Sequence, residues 1–495
     1  AYDDNTYLDL LKKDLNIKVV YDWVASSSDF EEKMNLCIGS NNIPELMNVN
    51  ATQYRALLKY DMIQPLDKYF DDYASDALKS YVKSGGEELQ KCITNEDGEL
   101  MAIPAPNLTA GGVNEMWIRQ DWLDALGLDV PRTWDELAEV AKAFVTRDPD
   151  GNGENDTIGI LGPGNSDHMN AVGGNQFGLD PLFSCFQSYP QYWLKSEDGS
   201  VEYGSIQPET KTALENISKL YADGVIDPET LVRSDSKEPL LAGKVGIFFG
   251  PWWCAYTFAD TTLSGSADWR AYFTPLSEDG KYYTHMAEPT TQYVVASKDC
   301  KNPEAAFKII NYLVANEQKW VEEGVTSTEM GTGDFYPLYN TYDNADEIET
   351  SYEALTKYLA GDISMDDVDF STHKLLKNDM EAVTKLKKKP YDDFSLKYWN
   401  LDSDLAKTNL PRLVAIMVGD APLVNEEYVP VYNAYNGQTE TMEAKWANLK
   451  KMEEETFAKI IMGKADISEF DTFVKNWKNQ GGDQILKEIN DELSK

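Results

Sequence analysis

Strand-like and helix-like runs alternate through the first fifty residues, and this order constrains the fold more than any other sequence feature. The apolar run IKVVYDWV (Ile17–Val24) predicts a buried strand, and PELMNVN (Pro44–Asn50) predicts a second. Between them, apolar residues of Phe30–Ile38 recur at helical spacing. A strand–helix–strand order favours a parallel sheet covered by helices, with a right-handed crossover. We therefore predict an α/β fold.

Later segments repeat the same two kinds of element. Thr133 and Glu136 have the spacing of a capping box, which predicts a helix starting there. The runs KVGIFFG (Lys244–Gly250) and TQYVVAS (Thr291–Ser297) predict strands. Asn302, followed by proline, predicts the start of another helix.

Length and charge limit the number of domains and the choice of partner. With 495 residues the chain is too long for one compact core, so we expect two lobes. No low-complexity linker separates them, so crossing segments should join the lobes. The net charge is −39, from 45 basic and 84 acidic residues. Such a chain repels nucleic acid and anionic lipid and suits a neutral ligand.

Motif searches give no enzyme class. The three histidines lack partner spacing, and the phosphate-binding, dinucleotide-binding, zinc-protease and serine-hydrolase motifs are absent. The five cysteines lie far apart and fit neither a disulfide framework nor a zinc site. Paired carboxylates of the glycosidase kind remain open, because 84 acidic residues offer many pairs.

The run DPDGNGENDTIG (residues 148–159) has the spacing of a calcium-binding loop. Oxygen-bearing groups stand at positions 1, 3, 5, 7 and 9 of twelve, and Gly153 stands at position 6. The predicted ligands are Asp148, Asp150, Asn152, the backbone carbonyl of Glu154, and Asp156. Gly159 replaces the usual glutamate at position 12, so the match is incomplete. A structural calcium ion is the favoured interpretation, and an Asx-rich turn without metal is the alternative.

Two adjacent tryptophans follow a predicted strand. Trp252 and Trp253 come directly after Lys244–Gly250 and Pro251. Ligands of open α/β sheets gather beyond the carboxyl ends of strands. We therefore expect one indole to stack on a sugar face while its neighbour packs, and the alternative is two core or interface tryptophans.

The chain contains, in this order, the segments MWIRQDWLDALGLDVPRTWDELAEVAKAF, LYADGVIDPE, LLAGKVGIFF, YVVASKDCKNPEAAFKIINYL and ETFAKIIMGKADISEFDTFVKNWKNQGG. Together they resemble the extracellular solute-binding proteins of bacterial ABC importers. The resemblance is to the large lipoprotein branch that takes oligosaccharides, and within it to alginate-oligosaccharide-binding proteins. It covers about residues 17–325 and 446–493.

The resemblance implies a two-lobed periplasmic-binding-protein-like fold. Each lobe is a sheet flanked by helices, the ligand cleft lies between the lobes, and extra helices follow at the C-terminus. We place the N-terminal lobe at 1–109 and 288–340, and the C-terminal lobe at 110–287 and 341–495. The lobe crossings are expected near 106–112, 286–289 and 331–341. Calcium loops in this family have a structural role.

The resemblance also implies the function. We expect a bacterial cell-surface lipoprotein that captures an oligosaccharide outside the cell and delivers it to the transmembrane subunits of an ABC permease. It would be a monomer, attached to the membrane only by a lipid anchor that is not visible in this sequence. The alternatives are a secreted glycoside hydrolase, and a peptide- or siderophore-binding member of the same fold.

Candidate ligand contacts follow from position and chemistry. Sugars are held by aromatic stacking and by hydrogen bonds from polar side chains. Each candidate has packing or surface exposure as its alternative. The candidates are Trp252, Trp253, Trp193, Asp29, Asn50, Tyr54, Glu288, Tyr336 and His168.

Overall fold

The computed structural model describes residues 5–164, 174–322, 336–370, 373, 375–388 and 398–493. The chain divides into two compact units. The first unit contains Ala1–Leu108, Pro289–Glu347 and Asp369–Lys374. The second unit contains Thr109–Glu288, Ile348–Val368 and Leu375–Lys495.

Strands and helices alternate along much of the described chain. The strands are β1 (Leu46–Val49), β2 (Ile103–Pro104), β3 (Glu115–Arg119), β4 (Ile158–Leu161), β5 (Trp193–Lys195), β6 (Val201–Tyr203), β7 (Val245–Gly250), β8 (Trp269–Tyr272), β9 (Tyr282–His285), β10 (Tyr293–Ala296) and β11 (Tyr428–Val431). The helices are α1 (Thr6–Leu15), α2 (Ser27–Gly39), α3 (Ala51–Lys59), α4 (Asp67–Tyr73), α5 (Asp76–Ser84), α6 (Gly86–Ile93), α7 (Gln120–Leu126), α8 (Trp134–Thr146), α9 (Asp180–Ser184), α10 (Pro208–Ala222), α11 (Lys237–Leu241), α12 (Ala255–Leu263), α13 (Glu304–Glu322), α14 (Glu347–Ala360), α15 (Leu376–Leu386), α16 (Asp404–Val414), α17 (Ala421–Asn425), α18 (Glu440–Ile461), α19 (Glu469–Trp477) and α20 (Asp483–Leu493).

The first unit contains a three-stranded sheet in the order β1-β10-β2. Both pairings are antiparallel, with Val49 opposite Tyr293 and Val294 opposite Ile103. Helices α1, α3, α5, α6 and α13 bury apolar side chains in the core beside this sheet. The apolar residues of β10 therefore serve as the centre of the unit.

The predicted strand at Ile17–Val24 is wrong. None of these residues pairs with a strand in the described part of the chain, and Asp22 lies in a bend. Their side chains alternate between partly buried and exposed, and Val20 and Val24 are 71% and 53% exposed. An apolar run specifies an extended backbone but not the strand that pairs with it. The parallel pairing expected for the first strand–helix–strand unit is therefore wrong as well.

The second unit contains a mixed four-stranded sheet in the order β4-β7-β3-β8. β4 runs parallel to β7, while β3 runs antiparallel to both β7 and β8. All six residues of β7 are buried, as its uninterrupted apolar sequence predicts. Two further two-stranded sheets, β5-β6 and β11-β9, belong to the same unit.

The predicted helix after Thr133 is confirmed as α8. The Thr133 hydroxyl accepts a hydrogen bond from the Glu136 backbone, and the Glu136 side chain accepts one from the Thr133 backbone. The apolar stripe of α8 is buried in the core of the second unit with side chains of α10, α18, α19 and α20.

Among the described residues, no helix has the length and apolar character needed to cross a bilayer.

The ends of β4 and β7 and the start of β3 lie at one edge of the second-unit sheet. Glu115, at the start of β3, lies opposite Gly250, at the end of β7. β4 ends at the same edge because it is parallel to β7, and Leu161 lies beside Phe248. We call this the carboxyl edge of the sheet, since it is where β4 and β7 end. Open sheets of this kind bind ligands outside that edge.

Candidate ligand site at the carboxyl edge of the second-unit sheet

Trp252 and Trp253 leave the carboxyl edge in different environments. Pro251 is extended and ends β7, and a short 3-10 turn over Trp252–Cys254 leads into α12. Trp252 is buried, with 6% of its surface exposed, whereas Trp253 is partly exposed. The Trp252 ring packs edge-on against Tyr256 of α12, at 6.5 Å between centroids. Of the pair, Trp253 is therefore the more exposed indole, and its contact with a ligand stays a prediction.

Two buried carboxylates lie near these tryptophans. Glu115 is 1% exposed and Asp420 is 0% exposed. None of their four side-chain oxygens has a hydrogen-bond partner among the described residues. Asp420 follows a π-helical turn at Ala415–Gly419, a rare geometry that recurs at functional sites.

Burial changes the acidity of both groups in the same direction. Desolvation raises the pKa of Glu115 well above its usual range, and the charges of Asp420 and Glu426 raise it further. Burial raises the pKa of Asp420 to about 9, and Glu349 adds to the rise. Burial therefore favours the protonated form of both carboxyls, and a protonated carboxyl can donate as well as accept a hydrogen bond.

Gly419 brings the π-helical turn against the tryptophans. A methyl group at Gly419 would lie 2.8 Å from the Trp252 carbonyl oxygen and 3.0 Å from Cζ2 of Trp117. Only glycine permits this close approach without a shift of backbone or indole. Asp420 is the next residue, and its charge raises the pKa of Glu115.

The other second-unit candidates have different surroundings. Trp193 is 4% exposed, and its ring lies 4.6 Å from that of Tyr203 and 5.5 Å from that of Trp446. These contacts belong to the core beside α18, α19 and α20. Glu288 is partly exposed at the end of the second-unit segment. His168 lies outside the described residues.

The first-unit candidates at Asn50 and Tyr54 have structural contacts. Asn50 caps α3, because its side chain accepts a 2.9 Å hydrogen bond from the backbone of Gln53. Tyr54 is 3% exposed and stacks on Tyr293, with 4.4 Å between ring centroids. As ligand contacts, both stay predictions.

Asp29 and Tyr336 also differ from each other in exposure. Asp29 is exposed on α2, where it accepts a 2.6 Å hydrogen bond from the Ser26 hydroxyl. Tyr336 is buried, and its hydroxyl donates a 2.8 Å hydrogen bond to the Ile309 carbonyl. Burial raises the pKa of Tyr336, so this phenol stays protonated. Their roles in ligand binding remain predictions.

The calcium-like loop folds its acidic groups toward Asn152. The Asn152 amide nitrogen donates to Asp150 at 2.9 Å and to Asp156 at 3.2 Å. Asp148 accepts hydrogen bonds from the backbone of Asn152 and Gly153, each 3.1 Å long. Lys244 forms a 3.0 Å ion pair with Asp156. No group of three or more His, Cys, Asp or Glu side chains in the described ranges has metal-binding geometry.

The electrostatics of the loop favour a cation among its acids. Burial raises the pKa of Asp150, and the neighbouring Asp148 and Asp156 raise it further. The hydrogen bond from Lys244 lowers the pKa of Asp156. Carboxylate and amide oxygens are the ligands that calcium prefers, so the donor set fits this ion. In this structure, however, the Asn152 amide donates hydrogen bonds to Asp150 and Asp156, and the Lys244 ammonium pairs with Asp156.

Sequence reasoning missed Glu115 and Asp420. A local signal was present, because each is an acid inside an apolar stretch, VNEMWI for Glu115 and AIMVGDAP for Asp420. Buried acids of this kind are rare unless they are paired or functional. The two stretches are far apart in sequence, and only the fold brings them together.

The bacterial extracellular solute-binding protein family matches residues 5–320. Among curated relatives, the fructooligosaccharide ABC transporter substrate-binding protein FusA of Streptococcus pneumoniae is 30% identical over 50% of this chain and 47% of its own length. The chain therefore spans about half the length of that relative. The polygalacturonan/rhamnogalacturonan-binding protein YtcQ of Bacillus subtilis is 24% identical over 97% of this chain and 86% of its own length.

Solved structures share the fold along nearly the whole chain. An HMO-binding, ABC-transporter-associated solute-binding protein of Bifidobacterium longum infantis gives a TM-score of 0.61 at 19% identity, covering 98% of this chain and 94% of its own. The alginate-binding protein AlgQ2 without calcium ion gives 0.58 at 16% identity, covering 99% and 94%. An EF-hand mutant of FusA with fructo-nystose gives 0.57 at 19% identity, covering 99% and 96%. The predicted two-lobed α/β fold is thereby confirmed, and the chain belongs to the bacterial extracellular solute-binding protein family.

Proposed function

We propose that this chain is the extracellular substrate-binding component of an ABC importer, and that it captures an oligosaccharide and delivers it to the permease. Family membership supports a binding protein, and the named ligands of FusA and YtcQ support a glycan. The observation that carries the proposal is the partly exposed Trp253 at the carboxyl edge, beside buried polar groups. An indole face and nearby hydrogen-bonding groups are what a sugar ring requires.

A glycan array probed with the purified protein tests this function. We expect binding to a restricted set of oligosaccharides. The bound sugar should be recovered intact after prolonged incubation, because a binding protein does not cleave its ligand. Shortened products would favour the secreted glycoside hydrolase. Binding of peptides or siderophores, with no glycan binding, would favour a peptide- or siderophore-binding member of the same fold.

The loop at residues 148–159 is proposed to hold one structural calcium ion. The names of two structural neighbours refer to calcium and to an EF-hand, and the donor set of this loop fits the ion. The ion would neutralise repulsion among the acids and tie the end of α8 to β4. The proposed ligands are Asp148, Asp150, Asn152, the Glu154 carbonyl and Asp156.

Removing calcium should lower the melting temperature of the wild-type protein. An ion bound only by the native state, at 100 times its dissociation constant, stabilises by about 2.7 kcal/mol, or roughly 4 °C in a unit of this size. Asp150→Ala should lose the metal and the stability that the metal supplies, yet keep sugar binding. Asp223→Ala, at an exposed aspartate, is the control. Unchanged metal content and melting temperature after exhaustive chelation would leave the loop a metal-free turn.

Closure of the two lobes on the ligand is also proposed, with the lobe bounds and crossings predicted from the sequence. Binding proteins of this architecture close by hinge motion. Small-angle X-ray scattering should therefore give a smaller radius of gyration when the selected oligosaccharide is added. An unchanged radius, with binding measured in the same sample, would contradict closure.

The cellular setting is proposed from the family. Outside the cell, the native protein would be a monomer held at the membrane by a covalently attached lipid, with the permease subunits as its partners. Fatty-acid labelling of the native protein in its host would detect the lipid. Light scattering of the purified chain would give its oligomeric state.

A further inference from the structure

His285 lies buried beside a point where the chain crosses between the two units. The chain passes from the second unit to the first after Glu288, three residues beyond His285, which ends β9. The imidazole is 0% exposed, and neither ring nitrogen has a hydrogen-bond partner among the residues that the structure describes. Leaving both nitrogens of a buried imidazole unpaired costs free energy. A small shift that pairs one of them would therefore be favourable.

The Asp180 carboxyl is within such a shift of the imidazole. Asp180 begins α9 and is 1% exposed. Its Oδ2 atom lies 4.0 Å from Nδ1 of His285, about 1 Å longer than a hydrogen bond. Burial lowers the pKa of His285 to about 3 and raises the pKa of Asp180 well above its usual range. Burial thus favours the neutral forms, and a neutral carboxyl and a neutral imidazole each offer a donor and an acceptor.

Aromatic rings fix the position of the imidazole. Tyr189 and Tyr192 pack edge-on against it, with 5.3 Å and 4.8 Å between ring centroids. The Tyr192 hydroxyl donates a 2.5 Å hydrogen bond to the carbonyl of Met286, the residue after His285. The imidazole therefore moves with the backbone of residues 285–288, the segment that leads to the crossing.

Asp180 also holds the segment by which the chain enters the second unit at Thr109. The Asn114 side chain donates a 2.6 Å hydrogen bond to Asp180. The Asn114 carbonyl accepts a 2.5 Å hydrogen bond from the Tyr282 hydroxyl of β9. Asp180 is therefore bonded to one crossing segment and faces the other.

The two crossing segments, residues 109–114 and 285–288, lie in contact. A methyl group at Gly112 would lie 2.9 Å from the backbone nitrogen of Ala287, closer than ordinary side-chain contacts allow. Because the backbones touch, a shift of one segment displaces the other. Such a shift changes the distance between Asp180 and the imidazole.

We propose, on the basis of the proposed function, that Asp180 and His285 form a latch between the two crossing segments. The latch is open in this structure, and its hydrogen bond forms when sugar binding shifts the segments. Asp180 and His285 act on the sugar only through closure, so they are positioning residues. The formed latch stabilises the closed form and thereby slows release of the sugar.

Nuclear magnetic resonance of the full chain with isotope-labelled histidine tests the latch in the wild-type protein. The chain has three histidines, and His168→Gln, His285→Phe and His373→Gln each remove one set of signals, which assigns all three. Kestose, nystose and trigalacturonate are the first probes, because FusA is named for fructooligosaccharides and YtcQ for polygalacturonan. Glycans selected on the array follow, and calorimetry identifies the probe that binds. We expect this probe at saturation to shift the Nδ1 signal of His285, because a hydrogen bond changes the shielding of a ring nitrogen.

Phenylalanine in place of His285 separates the latch from a purely structural role. His285→Phe keeps a ring between Tyr189 and Tyr192 but has no nitrogen to leave unpaired, so its melting temperature should equal or exceed that of the wild type. The sugar should dissociate about tenfold faster, equivalent to about 1.4 kcal/mol, with little change in its association rate. Tyr283→Phe, which removes a hydroxyl from the same strand, is the matched control and should behave as the wild type does. Stopped-flow fluorescence measures both rates.

Each outcome of these measurements decides something. Binding of a probe with an unchanged His285 signal overturns the latch and leaves the proposed function standing. The same follows if His285→Phe releases the sugar at the wild-type rate. If no probe and no array glycan binds, the proposed function and the latch fail together. The wild-type spectra remain decisive if His285→Phe does not fold, because the other two variants assign the remaining signal by elimination.

Discussion

Replacing Trp253 by alanine should weaken binding of the selected oligosaccharide by about 30-fold and lower the melting temperature less than replacing Trp252 does. A sugar face meeting an indole removes on the order of 80 Å² of apolar surface from water, which at ~25 cal/mol per Å² is worth roughly 2 kcal/mol. Tenfold in affinity corresponds to about 1.4 kcal/mol. Trp253 is more exposed than Trp252, so its removal should cost less stability. Calorimetry and thermal melts of the same sample measure both quantities.

Trp252→Ala is the matched control, because it alters the adjacent indole. Trp252 is 6% exposed, so its removal should leave a cavity and cost about 3–5 kcal/mol of stability. A Trp253→Phe variant should recover part of the affinity, since a smaller ring still stacks. If both alanine variants melt early, or both bind normally, the stacking surface is not at the carboxyl edge. Trp193 would then be the next residue to test.

Between about pH 5 and pH 8, the wild-type protein should lose stability that an Asp420→Asn variant does not lose. The pKa of Asp420 is raised to about 9 in the folded chain, whereas an unfolded aspartate has its ordinary, much lower pKa. Between these two values the folded state binds more protons than the unfolded state. Stability is therefore full below the ordinary pKa and falls as pH rises toward 9, by at most about 1.4 kcal/mol per pH unit.

Comparing the pH dependence of stability in the variant and in the wild type separates the contribution of Asp420 from those of the other acids. The 84 acidic residues all contribute to the pH profile of the chain. Subtracting the Asp420→Asn profile leaves the part due to this group, and Asp402→Asn at an exposed site serves as the control. If the free energy of unfolding changes with pH in the same way in the wild type and in Asp420→Asn, Asp420 ionises as an ordinary surface acid.

Local signals in the sequence predicted local structure well. The capping box at Thr133 fixes the start of α8, because both hydrogen bonds lie within one helical turn. The run at Lys244–Gly250 predicted β7, since six consecutive buried positions require an apolar sequence. The order of the family-like segments predicted the fold.

Pairing and burial depend on distant residues, and there the sequence was less informative. Ile17–Val24 reads as a strand, yet pairing requires a neighbour that no local pattern specifies. Trp193 reads as a ligand contact, but helices near the C-terminus cover it. The polar cluster at Glu115 and Asp420 exists only because Gly419 lets the π-helical turn approach β3 and β7.

Calorimetric titration of the wild-type chain with the oligosaccharide selected on the array tests the central claim most directly. We predict saturable binding at one site per chain, with the sugar recovered intact and its affinity reduced in Trp253→Ala. No heat of binding with any oligosaccharide, or conversion of the sugar to shorter products during the titration, would contradict an oligosaccharide-binding component of an importer.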